Sequence, residues 1–257
     1  MAEVRGLKIF AEHFSDWQEH YVLIGGVASS LAMDDAGLHF RTTKDLDIVL
    51  IIEVINPDFV AHLWSFIKAG GYKVQLKGET GPAFYRFNKP SNEIYPYQLE
   101  FFSRMPEGLK LEDEATLTPL AAGEAIASLS AILLNDEYYS FLLEGREHNT
   151  VLSVINADRL IPFKMRAWLD LSARKQKGEK IDSKDIRKHR NDILHLTVLL
   201  NETQIILPQE IYSDMNRFLG LLELETVDMK SLGLRGTLSD SLKRLRLVFG
   251  NTLIEYQ

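Results

Sequence analysis

Two aspartates separated by a single residue are the first feature of this sequence that could support chemistry. Asp45 and Asp47 open an apolar run that continues over residues 48–52 and has the composition of a buried strand. Side chains two residues apart on a strand point to the same face, about 6.6 Å apart. Paired carboxylates suit Mg²⁺, which prefers hard oxygen ligands and phosphate groups, and two such ions clamp the oxygens of an in-line phosphoryl displacement. The spacing therefore predicts a metal-dependent phosphoryl site, with a solvated strand face as the alternative.

A glycine pair lies upstream of the aspartates. The short apolar run Tyr21–Ile24 predicts a buried strand that stops at Gly25 and Gly26, and residues 27–33 predict a helix that starts there. Glycines allow backbone N–H groups to approach phosphate closely at a helix N-terminus. We therefore interpret the pair as a phosphate contact, with an ordinary turn as the alternative.

A third acid lies in the apolar run over residues 97–102. Glu100 would be costly to bury without a partner. It therefore either faces solvent on an edge strand or joins Asp45 and Asp47 at a metal ion, and we predict the metal role.

The second half of the chain contains a concentration of positive charge. Residues 158–190 contain eleven Lys/Arg and five Asp/Glu, a local excess of +6 in a protein of net charge −7. Lysine is a natural phosphate contact, and Lys164 lies in an apolar context that predicts a partly buried helix. His189 and Asp192 share one face of a later predicted helix, and we interpret His189 as a structural hydrogen-bonding residue. For most of the other charges the interpretation is a solvated helix surface.

Composition and missing motifs exclude several classes of protein. The 257 residues contain no cysteine, which excludes disulfides, cysteine nucleophiles and cysteine-based zinc sites. The chain has no HExxH, GxxxxGK[ST] or GxSxG motif, which argues against zinc hydrolases, P-loop proteins and serine hydrolases. The sequence lacks a signal-peptide pattern and any run of about 20 apolar residues. We therefore expect a cytoplasmic protein with no membrane partner.

The order of predicted elements indicates an α+β fold. Strands and helices alternate up to residue 76, and two further strands follow over residues 83–87 and 97–102. Three strand-like runs are predicted at 125–134, 138–143 and 151–155, and four helices at 157–176, 183–201, 208–223 and 237–250. We predict a core domain over residues 1–110. Residues 111–257 then form a β extension and a C-terminal helical domain that completes the cleft.

Together these residues resemble the nucleotidyltransferase superfamily with the DNA polymerase β fold. The similarity is greatest to the AbiEii/MenT-type branch, which contains toxin-like enzymes of bacterial abortive-infection and toxin–antitoxin systems. It covers residues 20–200 and rests on Gly25-Gly26, on the run from Arg41 through Thr43 to Asp47, and on the downstream Lys164 and Asp192. The chain differs from the pattern in a longer gap between Gly26 and Asp45, and in Glu100 where aspartate is usual.

This resemblance implies a mixed sheet with flanking helices and Mg²⁺-dependent transfer of a nucleoside monophosphate from NTP. It implies that Asp45, Asp47 and Glu100 hold the metal, while the phosphates meet the residues Gly25, Gly26, Arg41 and Thr43. Lys164 would neutralise phosphate charge, and Asp192 would position Lys164, the nucleotide or the acceptor. The acceptor would be a tRNA, a protein or a small-molecule hydroxyl, and the toxin-like branch implies a cognate antitoxin as a partner.

Two other functions are open at this point. One is a catalytically inert nucleotide-binding module with a regulatory or antitoxin-like role. The other is an adenylyltransferase for small molecules of the aminoglycoside type, which an acidic acceptor pocket would favour. The basic segment over residues 158–190 favours an RNA acceptor instead.

Overall fold

A mixed sheet of seven strands forms the centre of the protein in the computed structural model, which describes residues 4–74, 83–104, 132–148 and 151–252. β1 and β2 pair antiparallel, whereas β2 pairs parallel with β5, and β1 pairs parallel with β7. In sheet order the strands are β3 (Lys73–Val74), β4 (Ala83–Asn88), β5 (Gln98–Ser103), β2 (Asp45–Leu50), β1 (Tyr21–Ile24), β7 (Ser153–Ile155) and β6 (Arg146–His148).

Helices cover both faces of this sheet. They are α1 (Leu7–His13) with a following 3-10 helix (Ser15–His20), α2 (Gly25–Asp35), α3 (Pro57–Gly70), α4 (Asp136–Glu144), α5 (Ala157–Gln176), α6 (Ser183–Thr197), α7 (Gln209–Leu222) and α8 (Leu238–Phe249). A small parallel pair of strands, β8 (Ile206–Leu207) and β9 (Asn251–Thr252), packs near the C-terminal helices. Local sequence sets several helix ends: the Asn56 side chain caps α3, and Gly71 ends it in the left-handed conformation.

Strict alternation along β2 divides the core into two layers. Leu46, Ile48 and Leu50 pack on the side of the sheet that α1 and α3 cover. Val49 and Ile51 point the other way, into a larger layer formed with α4 to α8. Asp45, Asp47 and Val49 are successive alternate positions of the strand, so the two aspartate side chains point to the same face as Val49. This is the face of the sheet that α5 covers.

The predicted α+β class and mixed sheet with flanking helices are confirmed, but one predicted strand is wrong. Residues 138–143 form part of α4, because the Asn135 side chain accepts a hydrogen bond from the Tyr138 N–H and caps the helix. The predicted helix over residues 3–19 divides at Phe14 into α1 and the 3-10 helix.

Two further predictions fall partly or wholly outside the described residues. Of the predicted strand over residues 125–134, the part described is 132–134, which is helical. The predicted domain boundary at residue 110 lies outside the described residues. The strand predicted over 151–155 corresponds to β7, which joins the main sheet beside β1.

The helices that the structure describes include none with the length and apolar character needed to cross a membrane.

Candidate active site

Two carboxyl groups meet at the end of the central strands. Asp47 on β2 lies in register with Glu100 on the parallel strand β5, so both side chains are on the α5 face. The negative charge of Asp47 acts directly on Glu100. Asp45, two residues before Asp47, adds a third acid on the same face, and its negative charge also acts on Asp47. The structure thus brings together the three acids that the sequence singles out.

Glu100 is buried and has several partners. Its Oε1 accepts hydrogen bonds from Arg86 Nε at 2.9 Å and from Gln98 Nε2 at 2.7 Å. Burial and the neighbouring Asp47 raise the pKa of Glu100 to about 8, although Arg86 opposes this shift. Burial likewise raises the pKa of Asp47. Both shifts follow from the surroundings of the pair, because burial and the repulsion between neighbouring negative charges disfavour the charged form of a carboxyl group.

The glycine turn is fitted closely around Asp47. Gly25 opens α2 with a φ of +67°, which is the left-handed region that favours glycine. A Cβ atom at this position would overlap Asp47 Oδ2. The residue before the helix, Ile24, offers no side-chain cap, so the first N–H groups of α2 have no side-chain partner from that position.

The segment before β2 completes this turn. A Cβ atom on Gly26 would lie 2.6 Å from Thr43 Oγ1 and 3.5 Å from an Arg41 guanidinium nitrogen. Arg41 and Thr43, which the sequence predicts as nucleotide contacts, are therefore at the N-terminus of α2. A side chain at Gly26 would therefore displace Thr43, whereas Gly25 is constrained by its left-handed backbone as well.

Asp192 links two cations from distant parts of the chain. Its Oδ1 accepts a hydrogen bond from Arg41 Nε at 2.8 Å, and its Oδ2 accepts one from Arg41 Nη2 at 2.7 Å. Lys164 Nζ on α5 donates to the same Oδ2 at 2.7 Å. Asp192 and Lys164 are both buried, with 2% and 5% of their surface exposed. One carboxylate thus holds the pre-β2 segment and α5 against α6.

Charge pairing dominates the electrostatics of this triad. Burial alone would raise the pKa of Asp192, but the Lys164 ammonium and the Arg41 guanidinium outweigh it and hold that pKa well below its usual range. Burial lowers the pKa of Lys164, and Asp192 opposes that shift. Lys164 also acts electrostatically on Asp47. The Lys164 charge thus reaches Asp47, and the placement of Lys164 and Asp192 in the same cleft as Asp45 remains a prediction.

Sequence reasoning missed the contribution of the residues just before Asp192. Lys188 on α6 is exposed and acts electrostatically on both Asp47 and Lys164. His189 has a buried Nδ1 without a hydrogen-bond partner in the described part of the chain, whereas the sequence predicts a structural hydrogen-bonding role. Burial and the nearby Lys164 lower the pKa of His189 to about 3, which keeps its ring neutral. The excess of Lys and Arg over residues 158–190 was the signal that could have identified Lys188.

The carboxyl cluster offers oxygen donors, which are the ligands that a hard divalent cation prefers. Within the described ranges, no group of three or more His, Cys, Asp or Glu side chains is arranged to hold a metal ion as it stands. Asp47 and Glu100 are the pair in contact, with Asp45 beside them on the same face. The three-carboxylate ligand set remains a prediction.

Comparison with known proteins gives one structural similarity to report. A crystal structure of an antigenic nucleotidyltransferase-like protein from Paracoccidioides brasiliensis aligns with 95% of this chain and 94% of its own, at 17% sequence identity and a TM-score of 0.44. No protein-family model matches the chain, and no curated protein matches it.

The candidate site combines acids and cations. Asp47 and Glu100 lie in register on β2 and β5, Gly25 packs against Asp47, and the positive charges of Lys164 and Lys188 act on Asp47.

Proposed function

We propose that the protein is a Mg²⁺-dependent nucleotidyltransferase that moves a nucleoside monophosphate from NTP to an acceptor and releases pyrophosphate. The observation that carries this proposal is the contact between Asp47 and Glu100 directly beside Gly25, where the uncapped N-terminus of α2 begins. Two buried carboxyl groups side by side at the N-terminus of a helix are well explained as ligands for a cation that a nucleotide brings with it.

Asp45, Asp47 and Glu100 would hold the metal in this proposal. The bound Mg²⁺ would supply Lewis-acid stabilisation of the charge that develops on the phosphate oxygens. The backbone N–H groups of Gly25 and Gly26 would donate to the phosphates. Catalysis would then consist mainly of positioning and electrostatic stabilisation, since phosphoryl transfer needs little covalent help from the protein.

The triad has a positioning role in the same proposal. Asp192 accepts a hydrogen bond from the Lys164 ammonium at 2.7 Å, so it would fix the position of that positive charge in the site. Arg41 lies between Asp192 and Gly26, so the same carboxylate also orders the backbone turn that would meet phosphate. Loss of Asp192 would therefore disturb both sides of the site together.

The acceptor in this proposal is a tRNA, a protein or a small-molecule hydroxyl. The basic segment over residues 158–190 supports RNA among these. The AbiEii/MenT-type motif pattern supports a toxin-like or defence role with a cognate antitoxin as partner. Each of these finer assignments rests on the sequence pattern.

The experiment that tests the proposal is incubation with each radiolabelled NTP, Mg²⁺ and total tRNA, followed by measurement of pyrophosphate and of the fraction that carries label. We expect one NTP to release pyrophosphate and to transfer its label. The Asp45→Ala/Asp47→Ala variant should lose this activity by about 10²-fold or more. A matched control, Glu93→Ala/Glu202→Ala, removes two negative charges from exposed positions and should retain it.

Two other results would contradict the proposal. Full activity in the double-aspartate variant would show that the carboxyl cluster does not hold the metal. NTP binding by calorimetry without pyrophosphate release from any NTP and acceptor would favour the inert nucleotide-binding module.

A further inference from the structure

A separate cavity lies behind the Arg41–Asp192 pair. It has a volume of about 420 Å³ and lies between α6, the segment before β2 and the loop around residues 231–232. We call it the α6 cavity. Its walls include Lys184, Arg187 and Lys188 of α6 together with Phe40, Asp192 and His195.

Three cations on one side of this cavity have no local counter-charge. Lys184, Arg187 and Lys188 lie on successive turns of α6 with exposed side chains. In the ranges that the structure describes, none of the three has a carboxylate within ion-pair distance, although many other Arg and Lys side chains do. The cavity therefore presents positive charge that the protein itself does not neutralise.

The one acid on the cavity wall does not alter this balance. Asp192 is already bonded to both Arg41 and Lys164, and its carboxylate is 2% exposed. The triad carries a net positive charge, because one carboxylate faces two cations. The charged residues around the cavity therefore present a net positive charge to a ligand.

The remaining walls are suited to an organic group attached to an anion. Phe40 contributes a partly exposed aromatic ring, which meets the His195 ring edge to face at 5.9 Å. His195 Nδ1 lies 2.8 Å from the Asn191 carbonyl oxygen, and its Nε2 lies 3.0 Å from the Leu232 carbonyl oxygen. These contacts hold the loop against α6 and give the cavity a formed, rather than open, far wall.

We infer that the α6 cavity binds phosphate groups of a ligand, with Lys184, Arg187 and Lys188 as the contacts. Phosphate matches the site because it carries enough charge to satisfy several cations through short, charge-assisted hydrogen bonds. Two sources share this chemistry: the polyphosphate tail of a nucleotide, and the phosphodiester of a nucleic acid strand.

The inference goes beyond the proposed function, because phosphate binding here requires neither metal nor turnover. The test is isothermal titration of inorganic pyrophosphate into the full chain in the presence of EDTA. We expect saturable binding that weakens as salt concentration rises. Lys188→Gln and Lys184→Gln/Arg187→Gln should each weaken it by about 10-fold or more, as loss of one charge-assisted contact typically does.

The matched control is Lys68→Gln, which removes one exposed positive charge from α3 on the opposite face of the sheet. This variant should bind pyrophosphate as the wild type does. The Asp45→Ala/Asp47→Ala variant should also retain binding, so failure of the proposed transfer reaction and failure of this inference give different results. No saturable binding, or equal binding in the α6 variants and the wild type, would overturn the inference.

Competition identifies the source of the phosphate. Displacement of pyrophosphate by ATP in EDTA, but not by a short oligouridylate, assigns the cavity to a nucleotide tail. Displacement by the oligouridylate alone assigns it to a phosphodiester strand. Both results support the site, whereas displacement by neither contradicts it.

Discussion

Gly25 is constrained both by its left-handed backbone and by its close packing against Asp47, and mutations can separate the two effects. Gly25 and Gly37 have almost the same left-handed φ, +67° and +69°, but a Cβ on Gly37 would meet nothing within 4 Å. Alanine at either position costs about 1–2 kcal/mol of strain. We expect Gly25→Ala to lose more stability than Gly37→Ala in urea denaturation, because its Cβ also displaces Asp47.

The same pair of variants separates a backbone effect from a site effect. Displacement of Asp47 by about 1 Å should reduce pyrophosphate release by about 10²-fold in Gly25→Ala, whereas Gly37→Ala should keep the wild-type rate. Equal stability and equal activity of the two variants would show that the contact with Asp47 has no consequence.

Asp192 should be the most sensitive residue of the triad. Asp192→Asn removes the carboxylate that two cations share, and we expect it to lower the free energy of unfolding by about 3–5 kcal/mol, as breaking a buried ion pair does. Lys164→Met should cost less, because Asp192 keeps its two bonds to Arg41. The Lys164→Met/Asp192→Asn variant should be more stable than Asp192→Asn alone, because it no longer buries an unpaired ammonium.

Chemical denaturation of these variants checks the ranking. Asp185→Asn serves as the control, since it removes a carboxylate from an exposed position on the same helix. If Asp192→Asn were no less stable than this control, the triad would not contribute to the fold.

At the scale of elements, a stack of histidines joins α1 and the 3-10 helix to α3. The rings of His13 and His62 stack with centroids 3.9 Å apart. His13 Nε2 lies 3.2 Å from the His62 carbonyl oxygen, and His62 Nε2 lies 2.7 Å from the His13 carbonyl oxygen. His20 stacks on Phe59 with centroids 4.8 Å apart. Burial lowers the pKa values of His13 and His20 in the folded protein.

This stack predicts a loss of stability in mild acid. The unfolded chain binds protons at these histidines below about pH 6.5, while the folded protein resists protonation until lower pH. The contribution of these histidines to the free energy of unfolding should therefore fall as pH drops from about 6.5 toward their lowered folded-state pKa values. Urea midpoints of the wild type and His13→Asn across this range measure it, with exposed His39→Asn as control. His13→Asn should show the shallower dependence, and identical slopes would refute the assignment.

Sequence patterns located most elements because local signals and burial agreed. Pro57 and Gly71 bound α3, and the apolar run of β2 marked a strand buried on both faces. The α4 segment was misassigned because Tyr138, Tyr139, Phe141 and Leu142 also fit a strand. The Asn135 cap distinguishes the two, and its effect depends on a single hydrogen bond.

At the scale of the whole molecule, the two core layers share one sheet and should unfold together. Trp17 and Trp64 pack against the α1/α3 layer, whereas Trp168 is buried in the layer formed with α5. Trp168→Phe leaves Trp17 and Trp64 as reporters of the α1/α3 layer, whereas Trp17→Phe/Trp64→Phe leaves Trp168 as the reporter of the other layer. We expect each variant to show a single urea transition, and the free energy of unfolding to have the same dependence on urea concentration in both. Two slopes would indicate that the C-terminal helical part unfolds independently of the sheet.

The candidate site was predictable where it depends on local spacing and was not where it depends on assembly. The strand period placed Asp45 and Asp47 on one face without any structure. Arg41 and Asp192, by contrast, are 151 positions apart in the chain, so no local sequence pattern predicts the ion pair between them. The α6 cavity depends equally on how the segment before β2 lies across a helix from the other half of the protein.

The long separation of Arg41 from Asp192 also bears on how the protein is made. The carboxylate that orders Arg41 and Lys164 follows them by 151 and 28 positions, and β7 pairs with β1 across most of the same distance. A ribosome that has already produced the glycine turn and the acidic strand has not yet produced the group that orders Arg41 beside them. Nascent chains are therefore expected to pass through a prolonged interval in which the apolar α5 side of the sheet lacks its cover and holds no organised cleft. The full-length protein gains its cleft late in synthesis, and truncated translation products should lack it altogether.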